Sequence, residues 1–260
     1  MSATPGIDSA QALTDEMISA SASVLRSPVG VRVVYLDAFA GGRAEVALAH
    51  AHGAAVVLCC NSTTTGLVAG TLEDGLRYGE GQCMLAADLG APRGTLVAVD
   101  IEASYQPSEA WLGGVVTGIV ERGYTPCVYG ALTAPGTANA LLAAHLHWLA
   151  VREHLVLWSA TPCLQSGGQW YRDVPWVWDA DRLPGFATVG WQFAEGITLP
   201  GNGGAVDLDL WQDATPGLWR APTNVAPLSH THPSPDVAAI ATSLDAAERA
   251  IQAAQAALQQ

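Results

Sequence analysis

Four groups of carboxylates stand where apolar runs end: Asp8 after Gly6-Ile7, Asp37 after Val31–Leu36, Asp100 and Glu102 after Thr95–Val99, and Asp207 with Asp209 inside Ala205–Trp211. Residues i and i+2 of a strand project to one face, so Asp100 and Glu102 share a side, about 6.6 Å apart along the chain. Neighbouring carboxylates raise one another's pKa, which leaves one protonated near neutral pH. A protonated acid beside an ionised carboxylate is the arrangement that glycosidic cleavage uses. A single strand-end Asp more often caps a turn. Recurrence at several strand ends, in a chain that is only 13% charged, carries more weight.

These acids need a scaffold that gathers strand ends, and the pattern of the chain supplies one. Short apolar runs alternate with Ala/Leu-rich stretches of helical period, the signature of an α/β parallel sheet. Strands are expected at Gly6–Asp8, Val31–Leu36, Ala54–Cys60, Thr95–Val99, Thr125–Tyr129, Leu155–Trp158, Ala187–Phe193 and Ala205–Trp211. Helices are expected over Ala10–Leu25, Arg43–His52, Glu73–Leu89, Ser108–Arg122 and Thr137–Ala150, several closed by a glycine such as Gly53, Gly90 or Gly123. From Thr161 to Gly185 the helical pattern fails. Eight strands with mostly helical crossovers fit a (β/α)8 TIM-type barrel with degenerate late helices, whose catalytic groups collect at the C-terminal strand ends. An open doubly wound sheet is the alternative.

The expected organisation is a barrel over residues 1–220, a Pro/His linker over 221–235 and an amphipathic helix over 236–260. In that helix Val237, Ile240, Leu244, Ala247, Ile251, Ala254 and Leu258 repeat at 3-4 spacing, an a/d seam. The seam suits either self-association, as a homo-oligomer or with an assembly partner, or packing back on the barrel.

Composition removes several classes. Across 260 residues the net charge is −13, the eleven cations are all arginines, and half the residues are hydrophobic. Such a chain is not expected to bind nucleic acid, which needs clustered cations. No apolar run approaches the roughly 20 residues of a membrane span, so no membrane insertion is expected. The opening Met1–Asp8 lacks a basic region and an apolar core, so synthesis in the cytoplasm without a signal peptide is expected. Cys59, Cys60, Cys83, Cys127 and Cys163 show no CxxC spacing and read as buried free thiols. His50/His52 and His145/His147 are i, i+2 on helices and point apart, so no metal is expected. GxGxxG, Walker and GxSxG sequences are absent, and no cofactor is expected. Eight of nine tryptophans lie between Trp148 and Trp219. They suit either a sugar-stacking rim or the filling of space left by missing helices, and Trp191-Gln192 is the pair expected nearest the site.

Taken in order, Gly6-Ile7-Asp8, Val99-Asp100-Ile101-Glu102, Gly123-Tyr124, Val128-Tyr129-Gly130, Leu157-Trp158-Ser159-Ala160, Trp191-Gln192-Phe193 and Val206-Asp207-Leu208-Asp209 resemble the glycoside hydrolase family 25 lysozymes. They are still more similar to the bacterial and phage glycoside-hydrolase-like barrel domains of poorly defined function. The resemblance covers about Pro5–Trp211. It implies cleavage of the β-1,4 bond between N-acetylmuramic acid and N-acetylglucosamine in peptidoglycan. By position, Glu102 becomes the general acid, and Asp100 orients the N-acetyl group or stabilises developing positive charge. Asp8 and Asp207 complete the acidic cluster. Tyr129, Trp158, Trp191 and Gln192 line the sugar groove, with Asp37 and Asp209 as further substrate-binding acids. The chain departs from the lysozyme pattern in its Gly-Ile-Asp-Ser-Ala opening and in Asp209, where an Asn is common. The implied setting is a virion or release to the cell wall. The alternatives are a non-catalytic glycan-binding or structural barrel in a larger assembly such as a phage tail, and an enzyme acting on another polysaccharide.

Overall fold

The computed structural model describes residues 2–37, 42–164, 178–201 and 204–222. The elements run β1 (Ala3–Asp8), α1 (Asp15–Leu25), β2 (Val31–Tyr35), α2 (Gly42–Ala51), β3 (Ala55–Cys60), α3 (Thr65–Val68) and α4 (Leu72–Leu89). There follow β4 (Leu96–Ile101), α5 (Glu109–Glu121), β5 (Thr125–Gly130), α6 (Pro135–His147), α7 (Leu149–His154), β6 (Val156–Leu164), β7 (Ala187–Thr198) and β8 (Ala205–Gln212). Among the described residues eight strands close a barrel in sequence order. The expected linker and helix lie outside the described residues from position 223 onward. No described helix is long and apolar enough to cross a membrane.

Strands β1 to β7 pair in parallel, but β8 is antiparallel to both β7 and β1. The reason is local. A parallel return needs a crossover of a dozen residues or more, and only a short loop joins β7 to β8, tied by the Leu199 amide on the Gly204 carbonyl at 3.0 Å. Asp207 therefore reaches the barrel mouth from the start of its strand, not from its end as expected.

Capping sets most helix limits. The Thr14 side chain accepts from the Met17 amide and starts α1 five residues later than expected, while Thr71 and Asp74 form a reciprocal capping box on α4. Residues before α1 are held otherwise. The buried Arg32 donates to Glu45 Oε1 at 2.8 Å and to the Ser9 and Gln11 carbonyls at 3.0 and 3.3 Å. The helix expected over Thr137–Ala150 is two helices, because Trp148 takes an extended conformation between them. Its ring lies so close to Gly113 of α5 that a Cβ there would come within 2.5 Å of it.

Two apolar layers result. Val34, Val56, Leu58, Val97 and Val128 face the helices, while Val33, Val57, Ala98, Cys127, Trp158 and Trp211 fill the barrel. Trp158 and Trp211 lie with ring centroids 5.1 Å apart, and Tyr129 sits 4.3 Å from Trp158 on the mouth side. Glycines make room for these rings. A Cβ at Gly190 would lie 2.8 Å from atoms of both Trp158 and Trp211, and one at Gly6 would lie 2.9 Å from Trp211. Trp158 and Trp211 thus fill the barrel, while Trp111 and Trp191 are buried in the outer layer and Trp148, Trp178 and Trp219 pack against it half-buried. Cys59, Cys60, Cys83 and Cys127 are buried free thiols.

Gly190→Ala should therefore destabilise the fold by about 1–3 kcal/mol through overpacking. Gly81→Ala in α4, where a Cβ meets nothing within 4 Å, should be neutral or stabilise by up to about 1 kcal/mol. Urea unfolding of both variants checks the contrast, and equal midpoints would contradict it.

Candidate active site

The mouth of the barrel holds a cleft of about 350 Å³, lined by Tyr35, Asp100, Ile101, Glu102, Ala103, Tyr129, Gly130, Ala131, Ala160, Pro162, Gln192, Glu195 and Asp207. Each polar group arrives by strand geometry. Tyr35 ends β2, Asp100 is the penultimate residue of β4, Tyr129 holds the same register on β5, and Gln192 and Asp207 face one another's neighbourhood from β7 and β8. Glu102 lies one residue beyond β4 and is exposed at the rim. The strand end beneath it is pinned, because Thr63 Oγ1 donates to the Asp100 carbonyl at 2.6 Å and Tyr105 Oη donates to the Thr63 carbonyl at 3.1 Å.

Beneath the opening the buried carboxyls of Asp8 and Asp209 meet that of Asp207, which is half-buried and lines the cleft. Asp8 pairs in register with Asp207 across β1 and β8, and its carboxyl lies close enough to push those of both Asp207 and Asp209 upward. Tyr35 Oη donates to Asp8 Oδ1 at 2.8 Å. The Gln192 amide donates to Asp207 Oδ2 at 3.2 Å and to Asp8 Oδ2 at 3.4 Å, while its oxygen accepts from Tyr129 Oη at 2.9 Å. Asp207 Oδ1 accepts from the Gly196 amide at 2.6 Å. Asp209, one layer deeper and fully buried, accepts from Trp158 Nε1 at 3.1 Å.

Electrostatics follow from this crowding. Burial, then Glu102, Asp8 and Asp37, push the Asp100 carboxyl up to about 8. Burial, then Asp8, push Asp207 up to about 8. Burial raises Asp209 well above the usual carboxylate range. Both phenols are also driven upward by burial, so Tyr35 and Tyr129 stay protonated and act as donors. No described lining residue is a cation, and no described group of three His, Cys, Asp or Glu is arranged to hold a metal ion.

Of the expected site residues, Asp8, Asp100, Glu102, Tyr129, Gln192 and Asp207 come together here. Asp8 lies just behind the lining, and four others stand apart from the cleft. Trp191 is buried in the outer layer, 5.9 Å from Phe193, with its Nε1 on the Thr161 carbonyl at 3.1 Å. Being adjacent to Gln192 on a strand, it faces the opposite side. Trp158 floors the site from inside the barrel. Asp209 is sealed below the cleft. Asp37 binds backbone, accepting from the Asn61 and Ser62 amides at 3.1 and 3.3 Å, and so clamps the loop after β3. No described tryptophan lines the cleft, so the stacking rim is not found there; Trp170 and Trp176 lie outside the described residues. Two lining residues were not anticipated, Tyr35 and Glu195. Tyr35 carried a signal, since it shares strand parity with Val31 and Val33 of the barrel interior. Glu195 carried none, because register shifts in β7 set its position.

The geometry can be placed beside known proteins. No family model matches the chain, and no curated relative does. Solved structures do. An uncharacterized B. stearothermophilus protein superposes with a TM-score of 0.70 at 23% identity, over 81% of this chain and 96% of that one. The Clostridium perfringens spore cortex lytic enzyme SleM gives 0.54 at 13% identity, over 81% and 67%. The Mycobacterium tuberculosis Tat-secreted protein Rv2525c, solved with L-tartrate, gives 0.53 at 14% identity, over 82% and 97%. At these identities the likeness is one of fold alone: the eight-stranded α/β barrel expected from the sequence is the barrel that this chain forms.

Proposed function

We propose that the protein is a glycoside hydrolase directed at peptidoglycan. The carrying observation is the convergence of Asp100 and Glu102 on one open cleft, backed by the Asp8–Asp207–Asp209 trio, with no cation among the described lining residues to attract a phosphorylated substrate. Glu102, at the rim, is the general acid that protonates the departing glycosidic oxygen. Asp100, beside it, is protonated below about pH 8; it passes that proton to solvent water as positive charge develops at the anomeric carbon and recovers it from water once the charge is discharged. In that state it stabilises the charge, or it holds the N-acetyl group of the sugar being attacked. Asp8 and Asp207 are kept in place by Gln192 and Tyr35 and set the field of the site. The carbon–oxygen bond to the leaving sugar breaks, and water delivers hydroxide to the anomeric carbon and a proton back to the acid.

The barrel shared with a spore cortex lytic enzyme supports a cell-wall substrate. We place the activity in a virion or after release to the wall, and the a/d seam over residues 236–260 supports a homo-oligomer or an assembly partner. A non-catalytic glycan-binding or structural barrel is the outcome the experiments below would favour if no bond is cut.

The proton inventory also couples the site to stability. In the native state Asp100 and Asp207 hold their protons up to about pH 8, and Asp209 is raised as well; unfolded carboxyls lose theirs near the ordinary value of 3.8. Between those limits the native state binds more protons than the unfolded state, so stability falls as pH rises.

Three outcomes are expected. Wild type should release new reducing ends from peptidoglycan, while Glu102→Gln should retain the same melting temperature and lose at least about a hundredfold in turnover. Comparable activity in that variant would remove Glu102 from the role. The thermal midpoint should be higher near about pH 5 than near pH 8, and Asp209→Asn, which removes one of the raised carboxyls, should flatten that slope. A midpoint that rises with pH across this window would contradict the assignment. Deletion of 236–260 should lower the number of protomers per particle measured by light scattering, and an unchanged oligomer would refute the seam.

A further inference from the structure

The two neighbours of β4 do not hold it equally. Its ladder with β5 runs to the end, Asp100 against Tyr129 and Ile101 against Gly130, whereas its ladder with β3 stops at Cys60 against Val99. The last two residues of β4, and Glu102 beyond them, therefore have a strand on one side only. A strand end paired on one side is the kind of element that opens locally. Glu102 is exposed, so its carboxyl takes its place from the backbone that carries it.

Side chains stand in for the missing strand. Where β3 ends, the chain passes through Asn61 and Ser62 to the buried Thr63. Thr63 Oγ1 donates to the Asp100 carbonyl at 2.6 Å, and the Thr63 carbonyl accepts from Tyr105 Oη at 3.1 Å. The Tyr105 amide in turn donates to the Glu102 carbonyl at 2.9 Å. Three hydrogen bonds thus close a circuit from Asp100 to Thr63, from Thr63 to Tyr105, and from Tyr105 back to Glu102. Two further ties anchor it. Asp37 accepts from the Asn61 and Ser62 amides at 3.1 and 3.3 Å and from the Ser62 hydroxyl, which fixes the loop to the end of β2. Ser108, the cap of α5, donates from its amide to the Val68 carbonyl at 2.9 Å and from its hydroxyl to the Gly70 carbonyl at 2.6 Å. The segment after Tyr105 is thereby held to the same β3–α4 connection.

We infer that Thr63 and Tyr105 are positioning residues for Glu102, and that Asp37 acts through the loop that carries Thr63. None of the three lines the cleft, yet their bonds end on the carbonyls of the two residues that bear the paired acids. Proton transfer requires the acid within hydrogen-bond reach of the departing oxygen, and a displacement of about 1 Å costs up to about a hundredfold in rate. The inference rests on the glycosidase reading for what Glu102 does; the brace itself does not. Thr63 and Tyr105 are the residues to change, because the Asp37 charge also contributes to raising Asp100, and its removal would alter the field as well as the geometry.

The test uses the full chain, with new reducing ends from peptidoglycan as the readout. Thr63→Val and Tyr105→Phe should each lower kcat about tenfold and change KM by less than about twofold, since the acid is displaced and the sugar contacts are not. Thr63→Ser, which keeps the hydroxyl, should restore most of that loss. Added to Glu102→Gln, Thr63→Val should cost less than about twofold more, because the group it positions is already gone. Equal losses in Thr63→Val and Thr63→Ser would overturn the role of the hydroxyl, and a full tenfold loss in the Glu102→Gln background would overturn the positioning of Glu102. Hydrogen exchange followed by NMR reads the brace without turnover. In Thr63→Val the Tyr105 amide should exchange at least about tenfold faster while the Val97 amide of β4 keeps its protection. Unchanged exchange at Tyr105 would overturn the brace. If wild type cuts no glycan, the hydrolase reading ends, and the exchange contrast alone decides whether Thr63 holds the backbone of Glu102.

Discussion

β8 runs against both of its neighbours, and the contents of the barrel depend on that reversal. Antiparallel register sets Asp207 opposite Asp8 and Asp209 opposite Gly6, and it carries the Trp211 ring past Gly6 toward the lower interior. A β8 running parallel would start at the opposite end of the barrel and carry Trp211, not Asp207, toward the mouth. The carboxyl trio, the tryptophan filling and the closure of the sheet are therefore consequences of one short β7–β8 connection. The two glycines opposite the rings follow from the same placement, because the interior of an eight-stranded barrel is just wide enough for side chains to fill.

The trio would be prohibitive if all three carboxyls were charged. Isolated charges in a dry interior cost many kcal/mol, and such groups neutralise instead. Here the donors are few and well directed: Tyr35 and Gln192 reach Asp8, Gln192 and the Gly196 amide reach Asp207, and Trp158 reaches Asp209. The remaining requirement is met by protons on the acids themselves. Stability and site chemistry thus share one set of protons, which is why the pH response of the fold reports on the state of the cleft.

Much of this was legible in the chain. The eight strands could be read from apolar runs, and Asp100 with Glu102 from period-2 spacing at a strand end, since both signals are local. Asp8 and Asp207 were legible as strand-end acids, although their direct pairing depends on a strand direction that no residue announces. The errors have physical causes. Trp191 and Gln192 are neighbours, so only one could face inward, and parity alone does not say which when a strand contains register shifts. Asp37 shares parity with Tyr35, but β2 ends at Tyr35 and the chain turns so that Asp37 meets the amides of Asn61 and Ser62. Glu195 reached the cleft through the irregular end of β7, a tertiary outcome without a local signature.

The floor of the cleft links packing to chemistry most directly. Tyr129 and Trp158 pack with tilted rings beneath the opening, and the aromatic surface they present, together with Cys59 and Cys127 deeper in the barrel, is what removes water from around Asp100. Burial is accordingly the largest cause of its raised pKa, ahead of the neighbouring carboxylates. Glu102, one residue past the strand, stands at the exposed rim beyond that apolar surround. Two acids two residues apart therefore meet different environments, one over an aromatic floor and one in solvent, and such a difference is how paired carboxylates acquire separate roles. Gly190 and Gly6, by admitting the two indoles that support this floor, act on the acids without approaching any substrate.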